Sequence, residues 1–212
     1  MEYKLSFKKN FRYEVLNDTD KPFIVLYVLH GYGQLAKFFI QKFKSLNKKI
    51  LIVAPEGMHR FYLQGNYGRV GASWMTKEDR KTDIKDNISW LTALDKKISK
   101  KYNIKKRILL GFSQGGSTAI RWRLCNKVIF NAVIIWASDF PPEDIKKGGI
   151  LVNDNENHFV VGSKDEYFNE NKRNELISQY KLLGFNIITF DGNHEIDIKT
   201  VNKLIKKIEK KL

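Results

Sequence analysis

The feature that most constrains the fold of this chain is a unit that recurs along it: an apolar run, a loop and then an amphipathic helix. The first run, FIVLYVL at 23–29, does not alternate apolar with polar residues, which is typical of a strand covered on both faces. Further runs follow at 50–54, 107–111, 131–137, 159–162 and 187–190, with helix candidates near 34–46, 79–101, 115–126, 168–183 and 195–211. This alternation predicts βαβ units, and so an α/β fold with a mostly parallel central sheet and helices on both faces.

The N-terminus has a different pattern, because its first seventeen residues form two short alternating runs around Lys8, Lys9 and Asn10. That pattern predicts an antiparallel hairpin added to the sheet. No linker or low-complexity segment interrupts the chain, so residues 1–212 are predicted to form a single domain. Only about twenty residues separate the runs at 131–137 and 159–162, too few for a separate cap domain between them.

Composition excludes several classes of protein. A single cysteine, Cys125, excludes a disulfide framework and a zinc site built from several cysteines. No run is long and apolar enough for a signal peptide or a membrane span, so we expect a cytoplasmic protein without stable membrane insertion. The histidines lack partners at metal-ligand spacing and no phosphate-binding glycine loop occurs, so neither a metal nor a cofactor is expected.

The net charge of +15 allows two interpretations. It could mark a surface for nucleic acid or for an anionic membrane. However, thirty of the 38 basic residues are lysines, and arginine is the usual residue for base and phosphate contacts. The lysines are also spread over the predicted helices. Solvated helix faces are therefore the favoured interpretation, and no nucleic-acid partner is expected.

A candidate nucleophile lies where the run at 107–111 ends, in the segment GFSQG at 111–115. A serine between two glycines, after a strand and before a helix, matches the pattern of a nucleophile elbow. Side chains at the glycine positions would collide with the neighbouring strand and helix, and the sharp turn exposes the hydroxyl. The first N–H groups of the helix favour negative charge beside it. Ser113 is therefore predicted to be a nucleophile.

A serine hydroxyl needs a base, and in strand–turn–helix elbows of this type the acid and then the histidine follow the serine in the chain. His158 begins a strand and is expected to be structural, whereas His194 follows the last apolar run in a glycine-containing loop. We predict His194 as the base and Asp165, which follows the run at 159–162, as the acid that orients it. Asp139 and Asp191 remain alternatives for the acid.

An oxyanion hole needs two backbone donors. One is expected from Gln114, the residue after the nucleophile. The other is expected from Tyr32 in the loop HGYG at 30–33, whose glycines let the loop turn back beneath a substrate carbonyl. For His30 we favour a structural interpretation, a ring that is hydrogen-bonded within this turn and shapes the hole.

Together these motifs resemble the α/β-hydrolase superfamily. More narrowly, LHGYG at 29–33 with GFSQGG at 111–116 resembles the phospholipase/carboxylesterase family, which includes the acyl-protein thioesterases. GSKD at 162–165 and GNH at 192–194 resemble the acid and histidine motifs of that family. The resemblance implies a cofactor-independent triad of Ser113, Asp165 and His194 that hydrolyses carboxylic esters or thioesters. Residues 61–75 do not map onto the better-known esterases, so their substrate preferences do not transfer.

The resulting hypothesis is a serine esterase or thioesterase with an open site, acting on a small ester or thioester. Residues 55–77, the longest interval without a predicted strand, are rich in aromatics and glycine. Two interpretations are open for the large apolar side chains of this interval: they wall an acyl pocket, or they close the edge of the core. These side chains are Phe61, Tyr62, Trp74 and Met75, with Trp136 or Phe140 opposite. The alternatives are a peptidase or lactonase on the same fold, or a non-catalytic basic binding protein. The oligomeric state is left open.

Overall fold

The computed structural model describes residues 1, 3–19, 21–145 and 156–211. Within these ranges the chain forms two sheets and five α-helices. The strands are β1 (Tyr13–Leu16), β2 (Ile24–Leu29), β3 (Ile50–Pro55), β4 (His59–Tyr62), β5 (Val70–Ser73), β6 (Lys106–Phe112), β7 (Ala132–Trp136), β8 (Glu156–Gly162) and β9 (Asn186–Phe190). The helices are α1 (Ala36–Phe39), continued by a 3₁₀ turn (Ile40–Phe43), α2 (Arg80–Lys101), α3 (Gln114–Leu124), α4 (Glu170–Leu182) and α5 (Ile198–Glu209).

The main sheet has seven strands in the order β1-β3-β2-β6-β7-β8-β9. All neighbours pair in parallel except β1, which runs antiparallel to β3. The central strands β2, β3, β6 and β7 are buried almost throughout, as their continuous apolar sequences predict. The α/β prediction with a mostly parallel sheet is confirmed.

Helices cover both faces of this sheet. From β2 the chain passes through α1 to β3, toward the β1 edge of the sheet. Later it passes through α3 to β7 and through α4 to β9, toward the β9 edge. Because both kinds of crossover are right-handed, α1 lies on one face of the sheet and α3 and α4 lie on the other. The α2 helix packs on α3, where Trp122 Nε1 donates to Thr92 Oγ1 at 3.3 Å. The α5 helix lies beside the α1 segment, since Asn47 Nδ2 donates to Glu209 Oε1 at 2.8 Å.

The N-terminal hairpin prediction is wrong. Of the described residues before Tyr13, none belongs to a strand, and β1 alone joins the sheet by pairing with β3. Tyr3, Leu5 and Phe7 are almost fully exposed, so the first alternating run faces no apolar surface that would hold it as a strand. Pairing of β1 with the buried strand β3 is more stable than a hairpin, because Val15 and Leu16 then pack on the core.

A second correction concerns residues 55–77, which were expected to lack strands. They contain β4 and β5, which form a small antiparallel sheet of their own. An isolated bridge from Gln34 to Ala72 joins this hairpin to the loop after β2. The connection from β7 to β8 covers residues 137–155, of which 146–155 lie outside the described residues. No described helix is long and apolar enough to cross a bilayer.

Candidate active site

Ser113 stands at the turn between β6 and α3, at the carboxyl edge of the sheet. Its φ of 52° and ψ of −123° are a conformation that L-residues rarely adopt, as expected for a strained elbow. The strain is held by backbone bonds on both sides of the serine. Its N–H donates to the Trp136 carbonyl of β7 at 2.9 Å, and its carbonyl accepts from Gly116 N–H at 2.8 Å.

The glycine after the elbow is required by close packing. A Cβ on Gly115 would lie 2.5 Å from the His30 carbonyl oxygen, and backbone cannot move aside for it. This contact places the start of α3 directly against the loop after β2. From the other side, a Cβ on Gly31 would lie 3.3 Å from Ser113 Cβ. The HGYG loop and the serine are therefore immediate neighbours, although about eighty residues separate them in the chain.

His194 is joined to Asp165, as the sequence predicts. Nδ1 of the ring donates to Asp165 Oδ2 at 2.8 Å, and the other carboxylate oxygen accepts from Tyr167 N–H at 3.0 Å. The Asp165 side chain is fully buried, so its charge is directed at the imidazole rather than at water. Donation from Nδ1 leaves Nε2 as the ring nitrogen that can take a proton.

Three kinds of contact orient the His194 loop. The imidazole packs against the rings of Phe112 and Tyr167, with centroids 4.9 and 4.5 Å away. The Trp136 indole N–H donates to the Glu195 carbonyl at 2.8 Å. The backbone N–H of His194 donates to Glu166 Oε2 at 2.9 Å, so two consecutive carboxylates hold the ring and the main chain of one histidine.

Glu166 was not predicted from the sequence, and its contact leads to a testable expectation. Glu166→Ala removes the acceptor for His194 N–H, and water replaces it with looser geometry. We expect the looser position of the imidazole to cost about 1 kcal/mol of transition-state stabilisation, which lowers kcat roughly fivefold. Glu166→Gln keeps an acceptor oxygen and is expected to retain most activity. Steady-state kinetics of both variants, with Glu170→Ala as the exposed control, test this; equal rates for Glu166→Ala and wild type would contradict it.

Ser113 and His194 line one open pocket of about 280 Å³. Its other walls are Gln114, Ser117, Ala137, Ser138, Asp139, Tyr167 and Phe168. The described structure contains no direct hydrogen bond between the Ser113 hydroxyl and the imidazole. Such bonds are often long before substrate binds, so shared access to one pocket is the relevant observation. The pocket brings together the predicted serine and histidine, and the predicted acid, Asp165, is bonded to the imidazole of that histidine.

Of the candidate oxyanion donors, Gln114 lines this pocket, and Tyr32 follows Gly31, which lies against the serine. Gln114 is the first residue of α3, and the first N–H groups of a helix have no intrahelical acceptor. Among the described residues, no acceptor takes the Tyr32 N–H, and the Tyr32 ring projects outward onto Phe61 with centroids 5.0 Å apart. The Gln114 side chain was not predicted to have a role. Its Nε2 donates to the Met75 carbonyl and its Oε1 accepts from Trp74 N–H, which ties α3 to the segment after β5.

His30 is buried and structural, in agreement with the favoured interpretation. Its Nε2 accepts from Gly57 N–H at 2.9 Å, so Nδ1 carries the proton and donates to the Gly31 carbonyl at 2.8 Å. The Trp74 indole N–H donates to the His30 carbonyl at 2.8 Å. Burial lowers the pKa of His30 to about 4, because a charged ring would lose its hydration.

This lowered pKa predicts acid sensitivity. The folded protein binds the His30 proton only near pH 4, whereas the unfolded chain binds it near 6.5. The contribution of the neutral ring to the free energy of unfolding is therefore fully present above pH 6.5. It is lost as pH falls from 6.5 to 4, by up to about 3 kcal/mol. Urea unfolding of wild type and His30→Gln across this range should show a steeper decline for wild type; parallel declines would contradict the assignment.

Among the described residues, neither alternative acid is hydrogen-bonded to His194, and both lie beside lysines. Asp139 is exposed and lies 3.4 Å from Lys172 Nζ. Asp191 is exposed and pairs with Lys164 at 2.8 Å. His158 is buried within β8, with Nε2 3.1 Å from Glu156 Oε2, and it does not line the pocket. Among the described residues, no group of three or more His, Cys, Asp or Glu side chains could hold a metal ion.

Comparison with known proteins decides the family. The model of the phospholipase/carboxylesterase family matches residues 11–212. The chain belongs to the phospholipase/carboxylesterase family. A search of curated proteins finds no sequence match.

Solved structures share the fold of this family member at low sequence identity. A carboxylesterase from Mesorhizobium loti is 16% identical over 92% of this chain and 94% of its own, with a TM-score of 0.71. Zea mays acyl-protein thioesterase 2 is 16% identical over 93% of this chain and 98% of its own, with a TM-score of 0.68. The Bacillus cereus carboxylesterase is 14% identical, covering 95% of each chain, with a TM-score of 0.67.

The predicted substrate-lining residues of this phospholipase/carboxylesterase family member divide into two groups. Trp74, Trp136 and Phe140 are buried and do not line the pocket at Ser113, so of the two interpretations the structure places them in the core. The two indoles brace the HGYG and His194 loops through their N–H groups, and Phe140 packs on Tyr180 at 5.8 Å between centroids. Burial in the core removes more of their apolar surface from water than an open pocket would, and this burial is favourable.

The other candidates lie nearer the surface. Phe61 and Tyr62 of β4 line a groove beside the HGYG loop rather than the pocket at Ser113. Met75 is half-buried, and its carbonyl anchors Gln114. The described walls of the Ser113 pocket include two aromatics that sequence reasoning missed, Tyr167 and Phe168. Their position two and three residues after Asp165 was the only available signal.

Proposed function

We propose that this protein is a serine esterase that cleaves carboxylic esters or thioesters through an acyl-enzyme intermediate. Ser113 is the nucleophile, His194 the general base and then acid, and Asp165 the group that orients the imidazole. Backbone N–H groups of Tyr32 and Gln114 hold the oxyanion. Membership of the phospholipase/carboxylesterase family supports hydrolysis as the reaction class.

The observation that carries the proposal is the pairing of two separate devices at one pocket. A serine in a strained elbow lines it, and so does an imidazole whose Nδ1 is bonded to a buried aspartate at 2.8 Å. Folding alone requires neither a serine with a φ of 52° nor a buried carboxylate directed at a half-buried histidine. A strained serine and an oriented histidine at one pocket are typical of nucleophilic catalysis and are not needed for binding alone.

The chemistry follows from these positions. His194 Nε2 takes the Ser113 proton as Oγ attacks the acyl carbon, and the carbonyl π electrons move to the oxygen. Asp165 stabilises the imidazolium that forms. The tetrahedral intermediate collapses, the C–O or C–S bond breaks, and the imidazolium gives its proton to the leaving alcohol or thiol. His194 then takes a proton from water as the water attacks the acyl-enzyme, and the imidazolium returns that proton to Ser113 as the carboxylic acid product leaves.

Stabilisation of the oxyanion is supported by the two unsatisfied donors beside the serine. Gln114 N–H lies at the N-terminus of α3, where the helix dipole favours negative charge. Tyr32 N–H lies in a loop held rigid by His30 and Trp74. Donors that are already fixed before reaction need little reorganisation, and each is worth about 3–4 kcal/mol in the transition state.

A serine-directed probe tests the proposal directly. Folded wild-type protein is incubated with a fluorophosphonate, and intact mass and peptide mapping locate the adduct. We expect one adduct, on the peptide that contains Ser113. Hydrolysis is then compared for an ester, a thioester and an amide of the same short acyl group, and for a lactone.

The Ser117→Ala variant is the matched control, because Ser117 lines the same pocket without standing on the elbow. It is expected to label and hydrolyse like wild type. Absence of an adduct on folded protein would overturn the proposal. Preferential cleavage of the amide or the lactone would instead identify a peptidase or a lactonase with the same triad.

A further inference from the structure

The charge of this protein is concentrated on one side of the sheet. Residues 36–49 and 201–211 contain ten lysines and a single acidic residue, Glu209. We call these ten exposed side chains the lysine face: Lys37, Lys42, Lys44, Lys48, Lys49, Lys203, Lys206, Lys207, Lys210 and Lys211. The first five lie on or after α1, and the others lie on α5 and at its C-terminal end.

The two segments form one continuous surface. Asn47 donates to Glu209 at 2.8 Å, and Asn202 Nδ2 donates to Ser45 Oγ at 3.5 Å. A shallow groove between them is lined from both sides, with Leu46 on one wall and Lys206 on the other. The lysines of segments 36–49 and 201–211 therefore belong to one surface.

These charges are largely uncompensated. Within the described part of the chain, Lys211 is the one member of the lysine face in an ion pair, with Glu156. Several arginines elsewhere are paired, such as Arg12 with Glu56, Arg107 with Asp95 and Arg121 with Glu143. Mutual repulsion of these like charges slightly destabilises the folded state. An anionic surface that approaches them is attracted by all ten charges, and these attractions add.

Apolar groups adjoin the lysine face at the end nearer the candidate active site. Phe38 is 66% exposed, and Lys37 Nζ lies 4.8 Å from its ring centroid. Both line a groove of about 590 Å³ whose walls also include Leu63 and Gly33, next to the candidate oxyanion donor Tyr32. A cationic face with an exposed aromatic ring at its rim matches the interface of a bilayer, where charge meets headgroups and the ring enters the acyl boundary.

From this juxtaposition we infer that the lysine face binds the surface of an anionic lipid bilayer. The observations favour lipid over nucleic acid, because segments 36–49 and 201–211 contain no arginine and lysine lacks the planar fork that reads bases and clamps phosphates. Lysine point charges suit the diffuse potential of anionic headgroups. The inference goes beyond the proposed function and does not depend on the reactivity of Ser113.

Vesicle co-sedimentation tests the inference. Wild-type protein is mixed with vesicles of phosphatidylcholine alone, or of phosphatidylcholine with phosphatidylserine, at ~0.1 M salt, where the Debye length is about 10 Å. We expect pelleting with the anionic vesicles only, and release at higher salt. The Ser113→Ala variant is expected to pellet like wild type, so failure of catalysis and failure of binding are separable.

Two variants of equal net charge separate the lysine face from the overall charge. The first carries Lys42→Glu, Lys203→Glu and Lys207→Glu. The second carries the same change at three exposed lysines of α2, on the opposite side of the sheet, namely Lys81, Lys85 and Lys96. We expect the first to lower the vesicle partition coefficient by tenfold or more and the second by less than threefold, with circular dichroism confirming that both fold.

Three results would overturn the inference. Wild-type protein could stay in the supernatant with anionic vesicles at low salt. Both triple variants could lose binding equally, which would make net charge the cause. Finally, fluorescence anisotropy could show tight binding of an RNA or DNA duplex through the lysine face in the absence of vesicle binding, which would identify a nucleic-acid surface.

Discussion

Ser113→Ala is expected to lower kcat for ester hydrolysis by on the order of 10⁴- to 10⁶-fold while the protein stays folded. Removing the hydroxyl removes the atom that becomes acylated, and the histidine and acid cannot act without it. Residual turnover comes only from the oxyanion donors and from binding. Alanine fits the elbow with no new contact, since it lacks only Oγ, and the described structure gives that atom no hydrogen bond whose loss would destabilise the turn.

The measurement is steady-state hydrolysis of one ester by wild type, Ser113→Ala and Ser117→Ala, with thermal unfolding of all three. We expect the Ser117 variant to stay within a few-fold of wild type, because its hydroxyl donates to the Asp139 carbonyl at 3.1 Å and has no base beside it. Activity in the Ser113 variant above about a hundredth of the wild-type rate would assign the reaction to another nucleophile.

Asp165→Asn is expected to lower kcat by about 10⁴-fold with little change in KM. A neutral amide can present N–H to the imidazole and select the tautomer in which Nε2 is protonated and unable to act as a base. It also removes the buried negative charge that stabilises the imidazolium. The effect is large because Asp165 is shielded from solvent and its bond to His194 measures 2.8 Å.

Asp139→Asn is the matched control, since Asp139 lines the same pocket and was one of the two alternatives for the acid from the sequence. Its carboxylate is exposed and near Lys172, so we expect a change of less than about threefold, in line with a solvated surface pair. If the two variants exchanged their effects, Asp139 would be the acid and the assignment of Asp165 would be wrong.

Features encoded by neighbouring residues could be predicted from the sequence. The order of the strands and helices follows from the lengths and polarity of consecutive segments, and α4 ends at Leu182, two residues before Gly184, whose φ is 78°. The elbow belongs to the same class, because GFSQGG at 111–116 contains the strand end, the turn and the helix start. For that reason the elbow position of Ser113 could be predicted without knowledge of the rest of the chain.

Features that depend on which segments meet could not be predicted in this way. The N-terminal alternation fits a hairpin as well as a single strand, and only the exposed edge of β3 selects the latter. Similarly, Trp74 and Trp136 are as suitable for a pocket as for the core. Their burial depends on carbonyls of residues that are 44 and 59 positions away, His30 and Glu195 respectively.

By itself, the sequence determined the α/β architecture and the position of Ser113 between a strand end and a helix start, because both depend on residues close together in the chain. The tertiary structure alone decided which aspartate meets His194 and which side carries the excess charge. Asp165 meets the imidazole because the loops after β8 and β9 dock on each other, with Lys164 N–H donating to the Gly192 carbonyl at 2.9 Å. The lysines of segments 36–49 and 201–211 share a face because these segments lie side by side, with Asn47 Nδ2 donating to Glu209 Oε1 at 2.8 Å. Packing rather than sequence spacing sets the distance between two such segments.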